Sequence, residues 1–303
     1  MSKVELKTVN LVNGETLGYR EREGGEKVIL LIHGNMTSSK HWDLLLENMD
    51  ESYKLYAVDM RGFGLSSYVN RVSSIKNFSD DIKLFVDELG LDDFAIMGWS
   101  TGGAVGMQFV ADYPGYCNKL ILLASASTRG YPFFGTDEAG QLDPTKRLKT
   151  IEDIEGDLAR TIPIQQAYDT KNKEYLQAVW NALIYRDNRP SEERYNQYVD
   201  DMMTQRNLKD VYYSLNTFNI SEESNGLVEG NGLVKNIMIP VLVLRGNQDL
   251  VITEGMAREI LHDLEEVATY RELTGCGHSP LVDDLNQLMV ACFEFLEQKE
   301  LSQ

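Results

Sequence analysis

The stretch from Phe94 to Ala104 places a Gly-x-Ser-x-Gly motif between an apolar run and a segment of helical character. Such a turn between strand and helix exposes the serine hydroxyl, and glycines on either side relieve the crowded backbone. The N–H groups at the start of the helix point towards the place where negative charge develops when a carbonyl is attacked. Ser100 is therefore the predicted nucleophile, although a plain turn rich in small residues would also fit this motif alone.

Continuous apolar runs, typical of strands buried on both faces, recur along the chain and alternate with helical patterns. They occupy residues 27–33, 53–58, 94–99, 119–124 and 240–246, and residues 268–273 are predicted to form the last strand. Two alternating segments, 4–12 and 15–22, flank Asn13-Gly14 and predict an antiparallel hairpin at the start. This pattern predicts an α/β fold, with a mostly parallel central sheet covered by helices on both faces and ligands bound beyond the carboxyl ends of the strands.

The strand pattern stops between residues 128 and 236, where helical faces follow one another. We therefore expect residues 1–127 and 237–303 to form the core and residues 128–236 to form a helical cap inserted over the active site. The apolar stripes of this segment, at 175–184, 195–203 and 208–218, are expected to serve mostly for packing. The predicted wall of the substrate pocket consists of Trp99, Tyr131, Phe133 and Phe134.

The loop that begins at His33-Gly34-Asn35-Met36 follows the first buried strand. Its glycine permits an unusual turn, so that Asn35 or Met36 can aim a backbone N–H at a carbonyl oxygen. An ordinary loop, in which Thr37 or Ser38 caps the next helix, fits the same residues, and both interpretations can hold together. His33, at the strand end, is expected to be structural.

Two further loops after strands carry the partners that a nucleophilic serine needs. Asp249 lies just beyond the 240–246 run, where its carboxylate can orient a histidine and stabilise it when charged. His278 lies on a glycine-flanked loop after the last strand, whereas His41 and His262 fall in helical segments. The chain order is then Ser, Asp, His, each residue at the carboxyl end of a strand.

Composition narrows the possible partners. The net charge of -18 is spread along the chain and argues against nucleic acid and anionic membranes. The first seven residues alternate polar and apolar and predict neither a signal peptide nor an anchor, so a cytoplasmic location is expected. Three cysteines, widely spaced, predict no disulfide framework or zinc ribbon. We expect no metal or cofactor, and the oligomeric state stays open.

Taken in order and spacing, these motifs make the chain resemble the α/β-hydrolases over nearly its whole length. The resemblance implies that Ser100 is the nucleophile, His278 the base and Asp249 the acid. It also implies that the N–H groups of Thr101 and of Asn35 or Met36 form the oxyanion hole. Epoxide hydrolases and haloalkane dehalogenases of this family carry aspartate at the elbow, so the serine argues against both.

The activity implied by this resemblance is hydrolysis of a small, moderately apolar carboxylic ester or lactone through an acyl-enzyme intermediate. Other members of the family use the same three residues differently. A carbon–carbon bond hydrolase, a cofactor-free perhydrolase and a slow-turnover, receptor-like ligand-binding protein therefore stay open as alternatives.

Overall fold

A computed structural model describes residues 3–298 of the 303-residue chain. The first seven residues were considered above as a possible signal peptide or anchor. Two of them, Met1 and Ser2, lie outside the described residues. The described strands are β1 (Val4–Asn10), β2 (Thr16–Arg22), β3 (Lys27–Ile32), β4 (Tyr53–Val58), β5 (Phe94–Trp99), β6 (Cys117–Leu123), β7 (Phe134–Thr136), β8 (Leu142–Arg147), β9 (Val241–Gly246) and β10 (Ala268–Leu273).

Eight of these strands form one twisted sheet in the order β1-β2-β4-β3-β5-β6-β9-β10. The predicted hairpin of β1 and β2 pairs antiparallel, and β2 continues antiparallel to β4. All later neighbours in the sheet are parallel. The mostly parallel sheet predicted from the apolar runs is thus confirmed. Its parallel strands end at one edge, which is where their following loops meet.

Helices lie between the strands and cover the sheet on both faces, as predicted. They are α1 (Asp43–Asn48), α2 (Ile75–Leu89), α3 (Thr101–Asp112), α4 (Ile151–Glu155), α5 (Thr161–Asp169), α6 (Lys173–Leu183), α7 (Glu192–Met202), α8 (Leu208–Thr217), α9 (Glu254–Asp263), α10 (Pro280–Asp283) and α11 (Leu285–Leu296). Within residues 3–298, no helix combines the length and the apolar character that crossing a bilayer requires.

Helix α2 shows how directly the local sequence determines an element. Its apolar residues recur on one face, where Phe78, Ile82 and Phe85 are buried against the core. Gly90 follows in the left-handed conformation, with φ of 64°, and ends the helix. Both the buried face and the glycine that ends the helix are features of the local sequence.

The segment from 128 to 236 is not entirely helical, which corrects one expectation. It holds α4 to α8, but β7 and β8 form a separate two-stranded antiparallel sheet at its start. Strand β8 reads Leu-Asp-Pro-Thr-Lys-Arg, and its residues are exposed or half-buried. A strand without a buried apolar face shows no alternation of apolar and polar residues, so β8 could not be predicted from its sequence.

Candidate active site

Ser100 lies at the tight turn between β5 and α3, in a backbone conformation that L-residues rarely adopt (φ 55°, ψ -116°). Three backbone hydrogen bonds hold the turn: the Ser100 N–H donates to Leu123 O at 3.0 Å, and the Ser100 carbonyl accepts from Gly103 N and Ala126 N. The neighbouring strand and helix therefore fix this strained residue in place. Its side chain is half-exposed, facing a cavity rather than the core.

Close contact between α3 and the sheet requires the two glycines of the motif. A β-carbon on Gly98 would lie 2.3 Å from Gly102 O, and one on Gly102 would lie 2.0 Å from Ile32 O. Both clashes are with backbone atoms, which cannot move aside locally. The glycines thus allow the start of α3, which carries the free N–H groups, to lie directly against the strand ends.

His278 and Asp249 are brought together from loops that follow β10 and β9. The imidazole Nδ1 lies 3.0 Å from Asp249 Oδ2, and both side chains are buried. The other carboxylate oxygen, Oδ1, accepts the N–H groups of Val251 at 2.7 Å and Ile252 at 2.9 Å. Asp249 is therefore held rigidly. A carboxylate facing Nδ1 favours the tautomer that carries its proton there and leaves Nε2 as an acceptor.

Two further residues hold the His278 loop, and sequence reasoning missed this role for both. The indole Nε1 of Trp99 donates to the His278 carbonyl at 2.8 Å. Asp283 Oδ2 accepts the Gly277 N–H at 2.7 Å, while its Oδ1 accepts three successive N–H groups from residues 186–188 of the inserted segment. Asp283 thus ties the histidine loop to that segment. It lies in a short helix, where an aspartate carries no distinguishing local signal.

The loop after β3 passes beside the serine. A β-carbon on Gly34 would lie 3.1 Å from the Ser100 Cβ and 3.7 Å from its Oγ, so this glycine keeps space open at the hydroxyl. Met36 adopts φ of 59°, and Asn35, Met36 and Thr101 line the same cavity as Ser100. The structure therefore brings all three predicted oxyanion-hole residues to the serine.

The inserted segment also fixes the conformation of this loop. Gln205 Nε2 donates to Asn35 Oδ1 at 2.7 Å and to Asn207 Oδ1 at 3.0 Å, and Gln205 Oε1 accepts the Tyr168 hydroxyl at 3.1 Å. Ser38 caps the following helical turn through Lys40 N and donates to Asp201 Oδ1 at 2.6 Å. The loop thus combines the cap expected of Ser38 with contacts to the insertion that sequence patterns did not indicate.

His33 has the structural role expected of it. Its Nε2 accepts the Met60 N–H at 2.9 Å, and its Nδ1 lies 2.7 Å from Gly34 O, so the ring links the ends of β3 and β4. Complete burial lowers the pKa of His33 to about 4. Cys276, two positions before the candidate base, is buried too, and burial raises the pKa of its thiol to about 12. Neither residue lines the cavity.

A cavity of about 390 Å³ joins the serine, the histidine and the insertion. Trp99, Tyr131 and Phe133, three of the four residues predicted to form the wall of the substrate pocket, line this cavity. Phe134 does not, which corrects the fourth member of the predicted wall. Successive side chains of an extended chain point to opposite sides, so Phe134, at the start of β7, faces away from Phe133. It lies instead under the guanidinium of Arg147, 5.4 Å from its ring centre.

Helix α6 contributes more to this wall than its pattern indicated. Its stripe was expected to serve mostly for packing, but part of it faces the cavity. The lining residues from this stripe are Tyr175, Val179, Trp180, Leu183 and Ile184. Arg160, Tyr212 and Leu215 of the same insertion also line the cavity and were not predicted to do so. Periodicity identifies which residues share a face, but it does not show what that face meets.

Comparison with known proteins shows which family and which solved structures this chain is similar to. Residues 27–285 match the family described as the alpha/beta hydrolase fold. A 2-hydroxy-6-oxononadienedioate/2-hydroxy-6-oxononatrienedioate hydrolase from Pseudomonas sp. is 22% identical over 295 residues, which span 94% of this chain and 95% of that protein. An esterase from Exiguobacterium antarcticum is similar in structure, with a TM-score of 0.72 at 14% identity, covering 96% of this chain and 99% of that one. An esterase from Rhodococcus sp. ECU1013 has a TM-score of 0.70 at 21% identity, covering 98% and 99%.

The sheet, the elbow and the loops at its strand ends define an α/β-hydrolase. Since the family match extends over most of the sequence, the chain belongs to the alpha/beta hydrolase fold family.

Proposed function

We propose that this protein is a serine hydrolase that cleaves a small, moderately apolar carboxylic ester or lactone through an acyl-enzyme intermediate. The observation that carries the proposal is the convergence of Ser100, His278 and the Asn35–Met36 loop on one cavity, with Asp249 behind the histidine. These residues are far apart in sequence. A purely structural turn would not require all of them at one strand edge.

In this mechanism Ser100 Oγ attacks the carbonyl carbon while His278 Nε2 takes its proton. Asp249 keeps the imidazole oriented and stabilises it once it is charged. The backbone N–H groups of Thr101 and of Asn35 or Met36 bind the oxyanion. The leaving alcohol receives the proton from His278, and water, activated by the same histidine, then releases the acid and restores the serine.

The cavity supports the choice of substrate. Its wall is mainly aromatic and aliphatic, and its volume of about 390 Å³ suits a small molecule rather than a polymer. We propose that residues 128–236 act as the cap of this site, because their side chains line the cavity opposite the elbow. The three cysteines are free thiols, which supports a reducing compartment such as the cytoplasm.

A panel of chromogenic short-chain esters, assayed with the native protein and with Ser100→Ala, tests the proposal. We expect Ser100→Ala to lower kcat by about 10⁴-fold or more, since loss of a nucleophile removes the covalent route. Ser125→Ala is the matched control: this buried serine lies beside the elbow, but its Oγ donates to Ala126 O and does not line the cavity. Turnover that survives in Ser100→Ala, or fluorophosphonate labelling of another residue, refutes the nucleophile assignment.

A second candidate function, hydrolysis of a carbon–carbon bond, is favoured by the Pseudomonas relative, whose name assigns it a hydroxy-oxo-dienedioate substrate. The same serine and histidine would serve that reaction. The decisive measurement is the loss of visible absorbance of a ring-fission dienoate on addition of the protein. A protein that cleaves esters well and leaves this absorbance unchanged excludes the second function.

A further inference from the structure

Arg160 is the one arginine or lysine among the described residues that line the cavity. It lies at the N-terminal boundary of α5 in the insertion. The remaining wall is aromatic, aliphatic or uncharged, apart from His278, and no aspartate or glutamate is among these described lining residues. A guanidinium thus faces a largely apolar space that also contains the candidate nucleophile.

The protein does not neutralise this guanidinium. Within residues 3–298 it forms neither an ion pair nor a side-chain hydrogen bond, and its Nη1 is buried without a partner. Its one close partner is the ring of Phe133, 5.2 Å from the guanidinium carbon. A cation–π contact of this kind holds the group in place but leaves its N–H donors unused.

Asp157, one turn before Arg160, is the acid that would be expected to pair with it. Its Oδ1 instead accepts the Ala159 N–H at 2.9 Å, and its Oδ2 is buried without a partner. No salt bridge joins the two residues in the described structure. Arg160 is half-buried and its Nη1 is shielded from water, so an anion that enters the cavity would supply the partner that the described protein does not.

Arg160 lines the same cavity as Ser100 and His278. Burial raises the pKa of Tyr131, the positive charge of Arg160 acts to lower it, and the negative charge of Asp249 acts to raise it. Tyr131 lines the cavity and is influenced by both groups. A small molecule in this cavity can therefore contact the guanidinium while its carbonyl group lies at Ser100.

We propose that Arg160 binds a carboxylate carried by the substrate, so that the preferred substrate is a monoanionic ester or lactone. This inference rests on the proposed function for the position of the scissile bond. The guanidinium has a planar fork of N–H donors that matches a carboxylate through two parallel hydrogen bonds. A phosphate would call for further cations, and the described lining holds no second arginine and no lysine.

The test compares two esters of the same chain length, p-nitrophenyl hydrogen glutarate and p-nitrophenyl valerate, with the native protein and Arg160→Met. We expect Arg160→Met to lower kcat/KM for the anionic ester by about 10- to 100-fold and to change the neutral ester by less than about threefold. Arg147→Met is the matched control, because Arg147 stacks on Phe134 as Arg160 stacks on Phe133 but lies outside the cavity lining. The ratio of kcat/KM for the anionic ester to that for the neutral ester should be the same in Arg147→Met as in the native protein.

Arg160→Lys separates charge from geometry and guards against a folding defect in the methionine variant. It keeps the positive charge but loses the fork, so its preference for the anionic ester should fall between those of the native protein and Arg160→Met. An equal loss for both esters in the Arg160 variants overturns the proposal, as does a native protein without preference for the anionic ester.

A binding measurement distinguishes failure of this inference from failure of the proposed function. If the native protein cleaves neither ester, the proposed function fails, and calorimetric titration with monomethyl glutarate then tests Arg160 alone. Saturable binding that weakens at least 10-fold in Arg160→Met, and not in Arg147→Met, supports the carboxylate site. Absence of binding, or equal binding to all three proteins, overturns it.

Discussion

The indole nitrogen of Trp99 and the backbone carbonyl of His278 share a hydrogen bond of 2.8 Å across 179 positions of sequence. The residue immediately before the candidate nucleophile thus holds the residue proposed as its base. The two loops cannot move independently while this bond is intact. A change in the tryptophan is therefore expected to affect the histidine without altering either reacting atom.

We predict that Trp99→Phe lowers kcat by about 10-fold, because the His278 carbonyl loses its donor and the loop gains freedom. Trp42→Phe is the control: Trp42 is equally buried and packs against Trp99, but its Nε1 has no partner in the described structure. Steady-state kinetics on a short-chain ester, together with the rate of fluorophosphonate labelling, measure the effect. Equal losses in the two variants would show that packing, and not the hydrogen bond, is responsible.

Gln205 is predicted to control the loop proposed as part of the oxyanion hole. In the native protein the side-chain oxygens of Asn35 and Asn207 accept hydrogen bonds from Gln205. Gln205→Glu keeps the shape of the side chain but replaces this donor with a carboxylate oxygen, which repels both acceptors. We expect kcat to fall by about 10-fold or more while the far-ultraviolet circular dichroism spectrum stays unchanged. Gln165→Glu is the control, since Gln165 lies exposed on α5, where its Nε2 donates to Asp169 Oδ1 at 2.9 Å. Unchanged kcat in Gln205→Glu would contradict this positioning role.

The approach of α3 to the sheet makes a prediction about stability. Gly102→Ala would bring a methyl group within 2.0 Å of a backbone oxygen, and we expect it to lower the free energy of unfolding by about 3 kcal/mol or more. In Gly106→Ala the new methyl meets only the side-chain ends of Ile96 and Leu120, each at 3.2 Å. These ends can shift, so a change below about 1 kcal/mol is expected there. Urea denaturation measures both, and equal stabilities would contradict the steric account.

His33 gives the protein a predicted loss of stability in mild acid. The folded state keeps this imidazole neutral down to about pH 4, whereas the unfolded chain takes up the proton near the ordinary value of 6.5. The unfolded state therefore binds more protons between these values, and the free energy of unfolding falls as the pH drops from about 7 to 4. Above about pH 7, the free energy of unfolding is higher than at pH 4 by up to about 3 kcal/mol because of His33.

The measurement is the free energy of unfolding between pH 4 and 8 for three proteins. The His33→Gln variant keeps an acceptor for the Met60 N–H but has no group that titrates in this range, so its stability should depend less steeply on pH. His262→Gln, which changes an exposed histidine of α9, should keep the native slope. A His33→Gln protein with the full native slope would place the titrating group elsewhere.

Local sequence was enough to predict much of this molecule. The apolar runs predicted most of the parallel strands, and Asn13-Gly14 predicted the first hairpin. The positions of Ser100, Asp249 and His278 after strands followed from the same patterns. In each case the signal lies within a few neighbouring residues, because a buried strand, a tight turn and a helix end each require particular side chains at particular positions.

Features that depend on contacts between distant parts of the chain could not be predicted from local sequence patterns. The β7–β8 hairpin has no buried apolar face, so its sequence shows no alternating pattern. Phe133 and Phe134 are adjacent in an extended segment, so when the side chain of Phe133 faces the cavity, that of Phe134 points to the opposite side. The stripe on α6 was visible, but only tertiary structure showed that it meets a cavity.

Local periodicity and backbone preference encode the α/β fold class and the residues that follow its strands, so both could be predicted from sequence patterns. The folded structure was needed to show that Trp99 and Asp283 hold the histidine loop, that Gln205 holds Asn35, and that Arg160 lines the cavity unpaired. Whether a donor is paired or unpaired depends on which distant groups fold against it, and a short window of sequence does not identify those groups.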